Sequence, residues 1–208
     1  MKILYLAAMV MLLGLGACSR QDGPEPTATA AAPAPAASTA EPTASRVEVI
    51  ARAQAPLLDG LGDFNHPITT SSTWAQRYFN QGMIMAAGFN HAEAVRSFKA
   101  AQRLDPGCAM CYWGEALATG PNINVTSKGK AIMMPAERLA AYAAIQQAIT
   151  LAAGASEREQ ALIKAQATRY NGDVNTERQP LDIAYARAMR ELAGRYPDDD
   201  DIQAMFAE

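Results

Sequence analysis

Histidine and cysteine are scarce in this chain, which contains two His and three Cys among its 208 residues. A structural zinc site takes four ligands, usually from two paired motifs. The candidate ligands for zinc or copper are one short cysteine pair, both histidines and a few methionines. Nothing in their spacing brings these residues together. Covalent c-type haem needs a histidine directly after a C-x-x-C pair. Tyr112 occupies that position, which excludes this attachment.

Catalytic motifs and strong charge are also missing. No G-x-S-x-G, H-E-x-x-H or phosphate-binding loop occurs, so the sequence predicts a protein that is not an enzyme and needs no cofactor. The formal net charge is −3, with no basic patch, and this excludes nucleic acid as the expected partner. Beyond the N-terminus, no apolar run approaches the length of a membrane span.

The N-terminus has the pattern of an export signal. Lys2 precedes the apolar run Ile3–Ala17, and the run ends in the small residues of Leu15–Cys18, "LGAC". This ending resembles the lipobox of bacterial lipoproteins; an ordinary signal peptide is the alternative. The resemblance implies a signal peptide over residues 1–17 and lipid on Cys18. Neither following residue is an aspartate, which favours an outer-membrane anchor on the periplasmic face of the cell envelope.

Two segments precede the helical part of the chain. Residues 18–46 are rich in Pro, Ala and Thr and almost free of large apolar side chains, so we expect them to form a disordered tether. Residues 47–73 contain scattered Gly, Pro and Asn without a helical period. The sequence therefore predicts an irregular lead-in over 47–73 and a helical domain over 74–208.

Caps and apolar spacing place the helices of that domain. Ser72 or Thr73 caps the first helix, Asn90 with Glu93 forms a capping box for the second, and Cys108 or Ala109 begins the third. Further starts are predicted at Pro135, at Ser156 with Glu159, and at Pro180, where a helix runs to Tyr196. The acidic run 198–201, where a seventh helix would begin, is interpreted as a solvated turn.

An internal repeat connects two of these helices. Ala75–Gly82 aligns with Ala109–Ala116 at a spacing of 34 residues, so that Phe79 meets Trp113. Gly82, Ala94, Phe98, Ala101 and Pro106 show the small–small–aromatic–small–proline pattern of the tetratricopeptide repeat (TPR). The chain therefore resembles TPR proteins, which implies an all-α solenoid of helical hairpins. More narrowly, "FNHAEAVRSFKAAQRLDPGCAMCYWGEALATGPNIN" resembles a group of bacterial TPR lipoproteins without an established activity. Members of that group are longer, so we expect the solenoid to be incomplete at its C-terminus.

The TPR resemblance also implies a binding groove, because the first helix of each hairpin lines a concave surface. We expect a protein or peptide partner there, and membrane contact through the N-terminal lipid only. An adaptor or assembly scaffold of the cell envelope is the predicted function. The predicted groove residues are Gln76, Phe79, Met83, Met110, Trp113, Leu117, Asn122 and Asn124.

The pair Cys108-x-x-Cys111 supports an alternative function. A cysteine at a helix N-terminus has a lowered thiol pKa, as in redox proteins. A redox or metal-binding protein would then use Cys108 and Cys111, with His91 or His66 as further copper or zinc ligands. The favoured interpretation is nevertheless structural, a local disulfide or two small buried thiols that help neighbouring aromatic rings to pack.

Overall fold

The computed structural model describes residues 44–122 and 133–207, which form eight α-helices, one 3-10 turn and no strand. The predicted all-α class is confirmed for these residues. The expected signal peptide, the lipidation site Cys18, most of the tether and the groove residue Asn124 lie outside the described residues. The elements are α1 (Arg46–Ala53), α2 (Thr73–Ala87), α3 (His91–Leu104), α4 (Ala109–Thr119), α5 (Pro135–Leu151), the 3-10 turn Ala152–Gly154, α6 (Glu157–Ala167), α7 (Arg178–Arg195) and α8 (Asp200–Ala207).

Helix starts follow the predicted caps. The Ser72 side chain accepts a backbone N–H of the first turn of α2, and Ser156 with Glu159 forms a complete capping box on α6. Only half of the box predicted at Asn90 forms. Asn90 accepts from the Glu93 N–H, while the Glu93 carboxylate forms an ion pair within α3. Local hydrogen bonding therefore determines where these helices begin.

The segment expected to be irregular begins with a helix, α1. Ser45 and Glu48 form a capping box at its start, and Val49 and Ala53 are fully buried. The helix packs against α3 and is held there also by a hydrogen bond from Arg103 to the Ala53 carbonyl. At eight residues it is too short to be stable without these tertiary contacts, which the local sequence does not show. The lead-in is irregular only after Gln54.

The helices pack in chain order. α2 packs on α3, α3 on α4, and α4 on α5, while α2 also touches α4 and α4 also touches α6. Phe98 of α3 lies fully buried between two glycines, Gly82 of α2 and Gly114 of α4. Close approach at these glycines allows one aromatic ring to fill the space among three helices.

The remainder of the lead-in is held against α2 by side-chain amides. The Leu58 N–H donates to Gln81 Oε1 at 2.8 Å, and the His66 N–H donates to Asn80 Oδ1 at 3.2 Å. Gln76 donates to the His66 carbonyl at 2.8 Å and accepts from the Ile68 N–H at 3.0 Å. These hydrogen bonds satisfy backbone N–H and C=O groups of the lead-in, which lack the partners that a helix would provide.

The C-terminal helices differ from expectation in two respects. α7 begins at Arg178, two residues before the predicted start at Pro180. Residues 198–201 were predicted to be a solvated turn, but Asp200 and Asp201 form the first turn of α8. Asp199 pairs with Arg158 of α6 at 2.5 Å, and Asp201 contacts His66. Acidic side chains stabilise a helix N-terminus, and here two of them also find partners on other elements.

Within residues 44–122 and 133–207, no helix combines the length and apolar character needed to cross a bilayer.

Candidate functional site: an apolar cleft between α2, α4 and α8

An apolar cleft of about 530 Å³ opens between α2, α4 and α8. Its volume lies within the range of about 300–1,000 Å³ that is common for ligand sites. Three elements supply most of the wall, and short connecting segments complete it. The lining residues are Phe64, Met83, Ile84, Ala86, Ala87, Phe89, His91, Leu117, Ala118, Pro121, Asn122, Asp201, Ala204 and Met205.

Three of the predicted groove residues lie on this cleft. Met83 comes from the second half of α2, Leu117 from the end of α4, and Asn122 follows α4. Met83 and Leu117 are half-buried and pack against the core with one side. Both belong to the helices that the repeat alignment pairs, which is why sequence reasoning found them.

Three other predicted groove residues belong to the core and not to a binding surface. Phe79 and Met110 are fully buried and Trp113 is 1% exposed. The Phe79 ring lies 5.4 Å from the ring of Phe98 and 6.4 Å from that of Trp113, measured between centroids. Because α2 and α4 pack closely enough for their aromatic rings to meet, these side chains form the layer that joins the helices.

Gln76 is also unavailable as a groove residue. Its amide binds the backbone of His66 and Ile68 and the side chain of Asn80. The lead-in therefore occupies the face of α2 on which Gln76 lies. Only the C-terminal half of α2, which carries Met83 and Ile84, faces the open cleft.

Two aromatic side chains of the cleft are partly exposed, and sequence reasoning missed both. Phe64 is 39% exposed and Phe89 is 52% exposed. Phe89 also has φ of 60°, an uncommon backbone conformation for a bulky residue. Unfavourable backbone conformations persist mainly where the surrounding structure requires them, often near functional sites.

His91 lies beside Phe89 on the cleft wall. The two rings meet edge to face with centroids 6.0 Å apart. Both ring nitrogens of His91 are covered and have no hydrogen-bond partner among residues 44–122 and 133–207. The sequence marked His91 as an alternative metal ligand, but in the structure it contributes to the edge of an apolar surface.

A buried polar cluster holds α8 in place as a wall of the cleft. Arg158 donates from Nη1 to His66 Nε2 at 3.1 Å, so Nδ1 carries the proton of the neutral ring and donates to Asp201. Burial lowers the pKa of His66, although Asp201 opposes this shift. The hydrogen bond from Arg158 lowers the pKa of Asp199. The cluster therefore connects the lead-in, α6 and the start of α8.

A second buried carboxylate joins the lead-in to α6. Glu159 accepts from the Thr69 N–H and hydroxyl at 2.6 Å each, and from the Ser156 N–H at 2.7 Å. Burial would raise the pKa of Glu159, but these hydrogen bonds outweigh it and lower the pKa. The capping box predicted at Ser156 thus also anchors the lead-in.

The two cysteines of the C-x-x-C pair form a disulfide, which agrees with the favoured structural interpretation. Cys108 is the N-cap of α4, and its sulfur accepts from the Cys111 N–H at 3.1 Å. Cys108 is 1% exposed and Cys111 is fully buried. Thiol–disulfide exchange requires access to a sulfur, and this burial does not offer it.

The four alternative metal ligands are not brought together as a set. The cysteines bind each other, His66 binds Asp201 and Arg158, and His91 lies at the cleft. In the part of the chain that the structure describes, no three His, Cys, Asp or Glu residues are grouped closely enough to hold a metal ion.

No protein-family model, curated protein sequence or solved structure matches the chain.

Proposed function

We propose that this chain is a lipid-anchored TPR-type adaptor of the cell envelope that binds a peptide segment of a partner protein in the cleft between α2, α4 and α8. The open apolar cleft is the observation that carries the proposal. Apolar pockets with half-buried aliphatic and aromatic walls are typical anchor sites for side chains of a partner. The anchor is proposed on the sequence Leu15–Cys18 alone.

Contacts between aligned residues support the TPR-type arrangement. Phe79 and Trp113 correspond in the 34-residue alignment, and both are buried against each other on the adjacent helices α2 and α4. Phe98 lies between these two helices, as expected of the aromatic residue in the second helix of a repeat. The sequence also suggests a degenerate third repeat over about residues 156–197, in which Met189 and Leu192 hold the spacing of the second helix, and both are buried on α7.

The lead-in supports binding of an extended segment next to the cleft. Gln76, Asn80 and Gln81 already hold the backbone of this chain's own lead-in through donor and acceptor pairs. Backbone recognition by side-chain amides does not depend on the bound sequence. The same helix, α2, continues into the cleft, where apolar side chains would supply specificity.

Selection of peptides tests the proposal. A library of short random peptides displayed on phage is selected on the full-length protein, and selected peptides are synthesised with a fluorescent label. We expect peptides with large apolar side chains, and we expect Leu117→Asp to weaken their binding at least tenfold because it buries a charge in the cleft. Fluorescence anisotropy measures the dissociation constants.

Leu139→Asp is the matched control, because Leu139 is 48% exposed on α5 and does not line the cleft. Met205→Asp on α8 repeats the test from the opposite wall. Thermal unfolding identifies any variant that fails to fold. Equal affinity of the peptides for the Leu117 and Met205 variants and for the parent protein would refute the proposed function.

A further inference from the structure

The apolar cleft continues into an open depression with an acidic lining. Phe64 and Asp201 line both cavities, so they mark the boundary between them. The remainder of the depression comes from the connection between α7 and α8 and from two arginines. A bound peptide segment that leaves the cleft on this side would pass over the acidic residues 198–201.

The four acidic side chains of residues 198–201 differ in their contacts. Asp199 pairs with Arg158, and Asp201 contacts both His66 and Arg158. Asp198 and Asp200 are exposed and form no hydrogen bond or ion pair with the described residues. Among the described residues, therefore, two carboxylates of the depression have no partner and can bind a charge from outside.

The cations near the depression do not neutralise these two carboxylates. The Arg158 guanidinium is engaged by Asp199 and His66. Arg195 lies over the Tyr196 ring, 5.3 Å from its centroid, and is 3.6 Å from Glu157. The edge of the cleft therefore presents a local excess of negative charge.

We propose that the cleft binds peptide segments in which a large apolar side chain is flanked by Lys or Arg. This inference rests on the proposed function and names the class of peptide that the site selects. The apolar side chain enters the cleft between Met83, Leu117 and Met205, and the cationic flank lies over Asp198 and Asp200. Complementary charge at the edge of an interface increases the association rate and disfavours partners of the opposite charge.

The test compares three synthetic peptides that share one apolar anchor and carry arginine, glutamine or glutamate in the flanking positions. Each is titrated against the full-length protein at low and high salt. We expect the arginine peptide to bind more tightly than the glutamine peptide by about three- to tenfold, and the glutamate peptide to bind most weakly. Added salt reduces the difference, because it screens exposed charges.

The variant Asp198→Asn with Asp200→Asn removes the free charges and leaves the contacts of Asp199 and Asp201 in place. We expect it to bind all three peptides with nearly equal affinity. Glu177→Gln with Glu191→Gln is the control, because it makes the same change in net charge at exposed positions of α7 and its N-cap that line neither cavity. This control variant retains the preference for arginine.

The outcomes separate this inference from the proposed function. Equal affinity for the three flanks, or an unchanged preference in the Asp198 and Asp200 variant, overturns the inference while cleft binding stands. An affinity for the arginine peptide that survives Leu117→Asp undiminished means that the peptides bind elsewhere, and this overturns both. A third outcome is that the peptide with glutamine flanks does not bind, while a single-chain cationic amine displaces the arginine peptide completely. This result would assign the site to small molecules and would also overturn the inference.

Discussion

At the residue scale, the contact among α2, α3 and α4 depends on one aromatic ring and two glycines. Phe98 is fully buried, and a β-carbon built on Gly82 would lie 2.7 Å from its ring. At Gly114 the corresponding distance is 2.4 Å, to the Phe98 Cδ1 and Cε1 atoms. Separations this short require a neighbouring group to move, so both positions exclude a side chain in the present packing.

We predict that Gly114→Ala destabilises the fold by about 1–3 kcal/mol, although alanine favours helix more than glycine does. Gly194→Ala in α7 is the control, because a β-carbon there meets nothing within 4 Å. This control should gain up to about 1 kcal/mol from helix propensity. Urea unfolding of both variants measures the difference, and equal effects at the two positions would contradict the packing described here.

At the element scale, four of the predicted helices, α2, α3, α4 and α6, begin at a side-chain cap, and the most unusual cap is Cys108. Its sulfur accepts from the Cys111 N–H at the start of α4, and the disulfide closes a short loop of chain. Both cysteines lie in the core, at the start of the helix that lines the cleft with Leu117. These positions place the disulfide at the N-terminus of α4, where it can stabilise the helix start.

We therefore predict that Cys108→Ser with Cys111→Ser retains peptide binding and loses about 1–3 kcal/mol of folding free energy. Loop entropy contributes up to about 2 kcal/mol for so short a loop, and a serine at position 108 still caps the helix. Cys108→Ala with Cys111→Ala lacks that cap and should lose about 1 kcal/mol more. Anisotropy and urea unfolding measure both properties. Loss of binding in a stably folded serine variant would instead favour the redox alternative.

At the scale of the whole molecule, His66 connects the lead-in to α8, the last helix of the described fold. This residue of the lead-in contacts Asp201 of α8, at a separation of 135 positions in the sequence, and Arg158 of α6. The ring is fully buried and its pKa is lowered, so the folded protein disfavours the protonated form. α8, one wall of the cleft, thus depends on a neutral histidine.

We predict that the free energy of unfolding decreases as the pH falls below about 6.5, the ordinary pKa of histidine. The unfolded chain binds the proton first, because the folded pKa is lower, and stability is lost until the pH passes the folded pKa. Urea unfolding at a series of pH values measures this. His66→Gln removes the titrating group, so its free energy of unfolding should not change with pH over the range in which the parent protein loses stability. An increase of stability on acidification of the parent protein would contradict the assigned contacts.

Local sequence determined the starts of α2 to α6, the all-α class and the repeated pair Phe79 and Trp113, because caps and apolar periods act over a few residues. It did not indicate α1 or the helical start of α8. Tertiary structure alone decided that those two rings are core, that Gln76 holds the lead-in, and that Asp201 meets His66. Their partners are distant in sequence and leave no local pattern, so burial and contact emerge only when the helices pack. The cleft has the same origin, since its walls come from α2, α4 and α8, and α8 is distant from the other two in sequence.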